Sequence, residues 1–248
     1  MQMIDGIGER VKAGGPRRVA LMSILDVTHP DILEFLYLKL DKKELNNFNV
    51  SVAITDRFIE ACENDEEWHF TFNNRKYYVY ELDRVGPEKT SKINVVGLDE
   101  EDVVGRAKEH YLDHYQDEFK NVKKVSLKAK DVWNKIWVNA VESGDPGIYN
   151  VSLANKFTNV SYFEDMQSTN PCGEISLPSY GNCCLGHVNL ANMVVDGQVD
   201  WKRLARTVKT GIRFLDNVLT VNHFPTDKCK EVAHRSRRIG FGVLGLHY

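Results

Sequence analysis

The residues with the most chemical potential lie close together, in Asn170-Pro171-Cys172-Gly173-Glu174 and, shortly after, in Cys183-Cys184-Leu185-Gly186-His187. Asn170, Cys172 and Glu174 stand at i, i+2 and i+4. On an extended backbone those three side chains face the same way. Pro171 stiffens such a segment, and Gly173 lets another surface come close. An amide, a thiol and a carboxylate on one patch can hydrogen-bond a diol, take a proton from it and offer a sulfur. Three readings of the cysteines compete. One is a structural loop with incidental thiols. The second is a zinc site from Cys172, Cys183, Cys184 and His187, since four such ligands can close a tetrahedron. Against it, adjacent cysteines chelate one ion poorly, and the sequence holds no C-x-x-C pair. The third is thiol chemistry, with a second thiol for redox exchange.

The elements that must position these groups come from a chain of 248 residues, room for one large or two small domains. A hydrophobic share of 42% is that of a globular protein, and a net charge of −3 gives no general affinity for nucleic acid or membrane. No apolar run approaches the ~18 residues of a membrane span. The opening Met1-Gln2-Met3-Ile4-Asp5 has no signal-peptide pattern. Five cysteines, an odd number, favour a reducing cytoplasm over a disulfide scaffold. The glycosylation sequons at Asn49, Asn150 and Asn159 then carry no sugar. The final stretch Gly240–Tyr248 is apolar and glycine-punctuated, so the chain reads as interrupted there.

Val19 to Leu25 reads as a strand, and Thr28 as the cap of a helix starting near His29-Pro30-Asp31 with Ile32, Phe35 and Leu36 on its apolar face. Asn49 to Ile54 alternates as a strand, and Thr55 caps a short helix through Cys62. Residues 64–127 are rich in charge, with strands near Trp68–Phe72 and Tyr77–Leu82 and a charged helix from Glu100 to about Phe119. They read as a peripheral insertion with a solvated face. Val132, Trp133, Ile136, Trp137, Ala140 and Val141 have helical spacing, and Gly144-Asp145-Pro146-Gly147 ends that helix before an extended Ile148-Tyr149. Asp200 caps a long helix with Trp201, Leu204, Val208, Ile212, Leu215 and Leu219 on one side. Strands alternating with helices give an α/β class.

The form Asn170-Pro171-Cys172-Gly173-Glu174, with Cys183-x-Leu185-Gly186-x-x-Asn189-Leu190 starting eleven residues after Cys172, resembles the active-site loop of ribonucleotide reductase large subunits. Other segments resemble that family in the same order. Gly14-Gly15-Pro16-Arg17-Arg18-Val19 is similar to its effector-reading loop, and Asp26-Val27-Thr28-His29-Pro30-Asp31-Ile32 to the segment that follows. Asn49-Val50-Ser51-Val52 is similar to a barrel strand; Gly144-Asp145-Pro146-Gly147-Ile148 and Arg237-Arg238-Ile239-Gly240-Phe241-Gly242-Val243 also fit. The resemblance covers most of the chain except about 84–125. Proline and glycine around the cysteine resemble the adenosylcobalamin-dependent class.

The resemblance implies part of a ten-stranded α/β barrel over 1–248, with the catalytic cysteine on a loop inside it, and the reduction of ribonucleotides to 2′-deoxyribonucleotides as in a ribonucleoside-diphosphate reductase. Cys172 would carry the transient thiyl radical, Glu174 would accept the 3′-hydroxyl proton, and Asn170 would hydrogen-bond the sugar. Cys183 would be half of the dithiol that becomes a disulfide. Arg17 and Arg18 would belong to the loop that links effector to substrate choice. Adenosylcobalamin, an external dithiol or thioredoxin-like reductant, and dNTP or ATP effectors would be the cofactors and partners, in the cytoplasm, with a homodimer as the possible assembly. The second redox cysteine is expected upstream, and the phosphate loop and remaining strands downstream. The chain is therefore expected to be an internal portion of a reductase, inactive alone; the alternative is a partner-binding remnant of a split enzyme. Cys184 is an extra thiol that reads as a small buried residue. Cys62 and Cys229 read as incidental, and His187 as structural. Gly240-x-Gly242-x-x-Gly245 fits a dinucleotide fingerprint in spelling but lacks the helix that motif needs.

Overall fold

The computed structural model describes residues 1–11, 19–40, 45–86, 90–110 and 118–246. The chain divides into two compact units, Met1–Phe157 with Asn170–Gly173, and Thr158–Thr169 with Glu174–Tyr248.

The first unit opens with α1 (Gln2–Arg10), β1 (Leu21–Asp26), the short α2 (Ile32–Phe35) and β2 (Phe48–Ile54). β1 and β2 run parallel from Leu21 opposite Phe48 to Asp26 opposite Ala53. β2 is buried on both faces except at Asn49, as a central parallel strand must be. The expected cap at Thr28 is not made. Asp31 precedes α2 with no side-chain bond, and Thr28 instead donates from its N–H and hydroxyl to Asp26 Oδ1 at 2.8 and 2.6 Å. An aspartate two residues back offers the stronger acceptor, so the chain makes a local turn first. Thr55 does cap α3 (Asp56–Glu63), its hydroxyl accepting from the Phe58 N–H.

Next come β3 (Phe70–Phe72), β4 (Arg75–Val85), β5 (Thr90–Gly97), α4 (Glu100–His110) and β6 (Glu118–Val125). These strands form an antiparallel sheet in which β4 pairs with β3, β5 and β6. Asn73 and Asn74, at φ 49° and 59°, make the two-residue hairpin turn between β3 and β4. The charged helix was expected to reach Phe119, but Phe119 lies in β6. There it and Val122 pack on a small core of Tyr80, Leu82, Val95, Val103 and Ala107, an apolar partner a solvent-facing helix would not offer. The two ends of the segment meet, Glu67 pairing with Lys128.

α5 (Ala129–Ser143), β7 (Gly147–Asn150) and α6 (Val151–Phe157) complete the unit. β7 runs parallel to β2 and gives a sheet in the order β1-β2-β7. Gly144 ends α5 in the left-handed region at φ 86°. α5 buries Ala129, Val132, Ile136 and Asn139, whereas Trp137 and Val141 are exposed. The inward face is therefore rotated from the one expected, and Asn139 is satisfied by donating to the Leu36 carbonyl at 3.0 Å. The main core joins β2 to Phe58, Trp68, Phe70 and α5.

The second unit contains the two-residue strands β8 (Ser168–Thr169) and β9 (Ser176–Leu177), then β10 (Cys184–Asn189). A 3-10 turn at Leu190–Met193 and the small hairpin of β11 (Val194–Val195) and β12 (Gln198–Val199) follow. Asp200 caps α7 (Trp201–Val221) by accepting from the Arg203 N–H at 2.9 Å. Leu215 and Leu219 are its buried residues; Trp201 and Ile212, expected on the same face, are exposed. α8 (Asp227–Ser236), capped by Thr226, leads to β13 (Ile239–Leu244). β10 and β13 pair in parallel, from Cys184 opposite Ile239 to Asn189 opposite Leu244.

The class is α/β. The described residues form no closed barrel, since their parallel strands lie in a three-stranded and a two-stranded sheet.

Candidate active site

Asn170 to Gly173 is a tight turn. The Gly173 N–H donates to the Asn170 carbonyl at 3.0 Å, so Pro171 and Cys172 are its two central residues. Pro171 suits the first central position, and Gly173 at φ 80° suits the fourth. The extended backbone expected here is therefore replaced by a turn, and the alternation that put Asn170, Cys172 and Glu174 on one face does not apply. The same Pro171 and Gly173 that read as spacers are turn formers at those positions. The Cys172 side chain is at the corner and exposed. A methyl group built at Gly173 would meet no other residue within 4 Å, so the turn is open at that position. Asn49, the one exposed position of β2, donates from Nδ2 to the Pro171 carbonyl and ties the turn to the sheet. Asn49 was missed as a positioning residue; its signal was an amide at the start of the Val50-Val52-Ile54 alternation.

Glu174 and Cys183 belong to the second unit. Cys183 is half-buried just ahead of β10, and its thiol contacts the Cys184 carbonyl at 3.8 Å. Burial pushes this thiol above its ordinary range; Arg238 opposes that, and Cys184 and Glu174 add to it. A methyl group at Gly240 would lie 2.6 Å from Leu185 Cδ2 and 3.6 Å from Cys183 Sγ, so Cys183, Leu185 and Gly240 share a face. Cys184 alternates to the other face, with Gly186, whose added methyl would meet Leu215 of α7 at 3.2 Å. The two adjacent thiols thus point apart.

Asn170 and Cys172 fall in the first unit and Glu174 and Cys183 in the second, and all five cysteines are free thiols. Arg17 and Arg18 lie outside the described residues. Among the described residues no group of three or more His, Cys, Asp or Glu side chains is placed to hold a metal ion. Gly240 and Gly242 sit within β13 against Leu185 and His187, so they serve close strand contact and not a phosphate turn. Sequence reasoning also missed Glu164, a buried carboxylate paired with Arg238. These partners are 74 residues apart, and no local pattern joins them. Among the described residues no helix is long and apolar enough to cross a membrane.

A family model for the ribonucleotide reductase barrel domain matches residues 1–248. The chain is similar to a vitamin B12-dependent ribonucleoside-diphosphate reductase of Thermoplasma acidophilum, 36% identical over 248 residues, covering 99% of this chain and 26% of that protein. The protein of the same description from Mycobacterium tuberculosis (strain H37Rv) is 33% identical over 247 residues, covering 99% of this chain and 29% of that protein. A ribonucleoside-diphosphate reductase subunit alpha of Chlamydia muridarum is 28% identical over 254 residues, covering 95% and 22%.

Proposed function

Because this chain belongs to the ribonucleotide reductase barrel-domain family, we propose that it supplies the radical thiol and one reducing thiol for converting ribonucleotides to 2′-deoxyribonucleotides. Relatives described as B12-dependent ribonucleoside-diphosphate reductases support a cobalamin-using enzyme acting on a nucleoside diphosphate. The chain spans 26–29% of those relatives, so the activity is expected of these residues together with the rest of a reductase. On this reading the chain contributes strands to a ten-stranded barrel, and 64–127 is an insertion whose ends meet at Glu67 and Lys128. Its Trp68, Phe70, Val79 and Val96 are nevertheless part of the main core and not peripheral.

The observation that carries the reading is the turn at Asn170–Gly173, which presents an exposed thiol at its corner. That accessibility fits a large cofactor and a sugar. When bound, adenosylcobalamin would supply the radical equivalent that leaves Cys172 as a thiyl. Cys172 would then take the 3′ hydrogen of the ribose. Glu174 would accept the 3′-hydroxyl proton as a positioned base, and Asn170 would hold the hydroxyls without adding charge. The 2′ hydroxyl leaves as water, and the two electrons come from Cys183 and a second thiol, which join as a disulfide. An external dithiol reverses that oxidation. Arg17 and Arg18 would serve the loop through which nucleotide effectors choose the substrate. The five free thiols accord with a cytoplasmic setting.

The test is Cys172→Ser in the full-length enzyme. The proposal expects no deoxyribonucleotide, because an O–H bond is too strong for the hydrogen relay, with ribonucleotide binding near normal. Turnover that survives the change sinks the assignment. A partner-binding remnant, the competing reading, predicts no turnover even from the unaltered protein supplied with cobalamin, nucleotide and dithiol.

A further inference from the structure

The parallel pairing of Cys184 with Ile239 sets Arg238 opposite Cys183, one step earlier in the register. The Cys184 N–H donates to the Arg238 carbonyl at 3.4 Å, and Gly240, next on the Cys183 face, lets Leu185 and Cys183 close over the strand there. The Arg238 side chain is 15% exposed and pairs through Nη2 with Glu164 Oε1. The Glu164 side chain is only 2% exposed, and Arg235 stands 3.7 Å from its second oxygen. The carboxylate thus anchors the guanidinium from behind. Arg238 Nη1 is buried and makes no hydrogen bond. A buried charged donor without an acceptor is costly and calls for a partner.

We propose that Arg238, anchored by Glu164, is a positioning residue that stabilises the thiolate of Cys183 during its exchange with an external dithiol. The proposal rests on the reading of Cys183 as a redox thiol. In that exchange one sulfur of the dithiol, as thiolate, attacks the sulfur bonded to Cys183. The S–S bond breaks, and its electron pair goes to the Cys183 sulfur as a thiolate. The second thiol of the reductant then displaces the mixed disulfide. The reductant leaves as a disulfide, and its two protons end on the two protein thiols. A sulfur leaves faster when its thiolate is more stable. Among the described residues the groups that bear on Cys183 differ in sign: burial, Cys184 and Glu174 disfavour its thiolate, and Arg238 favours it. Without Arg238 nothing in this surrounding set would offset burial.

The experiment uses the full chain and iodoacetamide, with peptide mass spectrometry reading each cysteine separately across pH. In Arg238→Gln, Cys183 should react roughly 3- to 10-fold more slowly near neutral pH, with its midpoint moved up, as expected for losing a nearby opposite charge. Arg238→Lys should restore most of the rate, which a merely structural role would not require. Cys229, on α8 of the same unit, should keep its wild-type rate and so reports that the unit is folded. An unchanged Cys183 profile in a folded Arg238→Gln variant overturns the proposal, as does no recovery in Arg238→Lys. Should Arg238→Gln lose the fold, Arg238→Lys decides: its Cys183 rate must stay within about twofold of wild type, and a larger fall refutes the charge role. The redox reading is checked apart, by Cys183→Ser in the full-length enzyme. If that variant turns over normally while the reactivity shift is seen, the redox role falls and the Arg238 effect stands. If turnover is lost while Arg238→Gln changes nothing, the reverse holds.

Discussion

Gly211, in the middle of α7, lies under the ring of Phe241 on β13. A methyl group built there would come within 2.5 Å of both Cε2 and Cζ of that ring. Carbon atoms in contact sit about 3.5–4 Å apart, so the ring would have to retreat by roughly 1 Å. Two effects oppose each other in Gly211→Ala. Alanine favours a helix interior over glycine by about 1 kcal/mol. Overpacking costs about 1–3 kcal/mol, toward the lower end here because Gly211 and Phe241 both line a cavity into which the ring can shift. The net expectation is a loss of about 0–2 kcal/mol in α7. Gly105, in α4, isolates the first effect, because a methyl group there meets nothing within 4 Å. Gly105→Ala should therefore gain close to the full ~1 kcal/mol. The two variants should differ by about 1–3 kcal/mol although the substitution is the same. Hydrogen exchange read on the amides of α4 and α7 measures each helix in its own unit. Adding Phe241→Leu should recover part of the loss in Gly211→Ala, a coupling on the order of 1 kcal/mol between touching residues. If Gly211→Ala protects α7 as much as Gly105→Ala protects α4, the ring does not cover Gly211 and the argument fails.

Three further outcomes are expected. Thr226→Ala removes the hydroxyl that accepts from the Cys229 N–H at 3.3 Å; it should cost α8 about 1 kcal/mol, seen as faster amide exchange in its first turn, while Thr226→Asp should not. Burial holds the His69 imidazole below its ordinary range, with Lys76 assisting. The unfolded chain then binds a proton more readily, so this stability is present above the unfolded value of about 6.5 and is lost as pH falls through the lower folded value. His69→Gln should flatten that part of a urea-midpoint profile, and an unchanged slope would remove His69 as its source. Cys183→Ser in the full-length enzyme, pre-reduced, should allow about one turnover at most before stopping or releasing damaged product; sustained turnover with dithiol would assign the role elsewhere.

What was legible in the sequence was local. Thr55 and Asp200 were readable as caps because a cap lies within three residues of the amide it satisfies. β2 was readable from the alternation of Val50, Val52 and Ile54 with Ser51 and Ala53. The candidate loop was legible in composition and misread in shape, since Pro171 and Gly173 suit a spaced strand as well as a turn. Only the Gly173-to-Asn170 hydrogen bond decides between them. The pairing of β10 with β13 was not legible, because nothing in Cys184–Asn189 names a partner some fifty residues later. Glu164 and Arg238 were invisible for the same reason. The inward faces of α5 and α7 were partly misjudged, because Asn139 is buried and Trp201 exposed, against their polarity.

The neighbouring positions of Glu67 and Lys128 have a consequence for how this chain can vary. The segment between them departs and returns at one point, so its length is uncoupled from the spacing of α3 and α5. The two faces of its sheet are not alike. Trp68, Phe70, Val79 and Val96 are built into the main core, and Trp68 Nε1 donates to the Val27 carbonyl at 3.2 Å. Tyr80, Leu82, Val95, Val103 and Ala107 close a core of their own. Val79 adjoins Tyr80 on β4 and Val95 adjoins Val96 on β5, so the two cores lie on opposite faces of the same strands. Lineages could therefore rewrite the small core and α4 residue by residue but could not shed β4 and β5 without opening the main core.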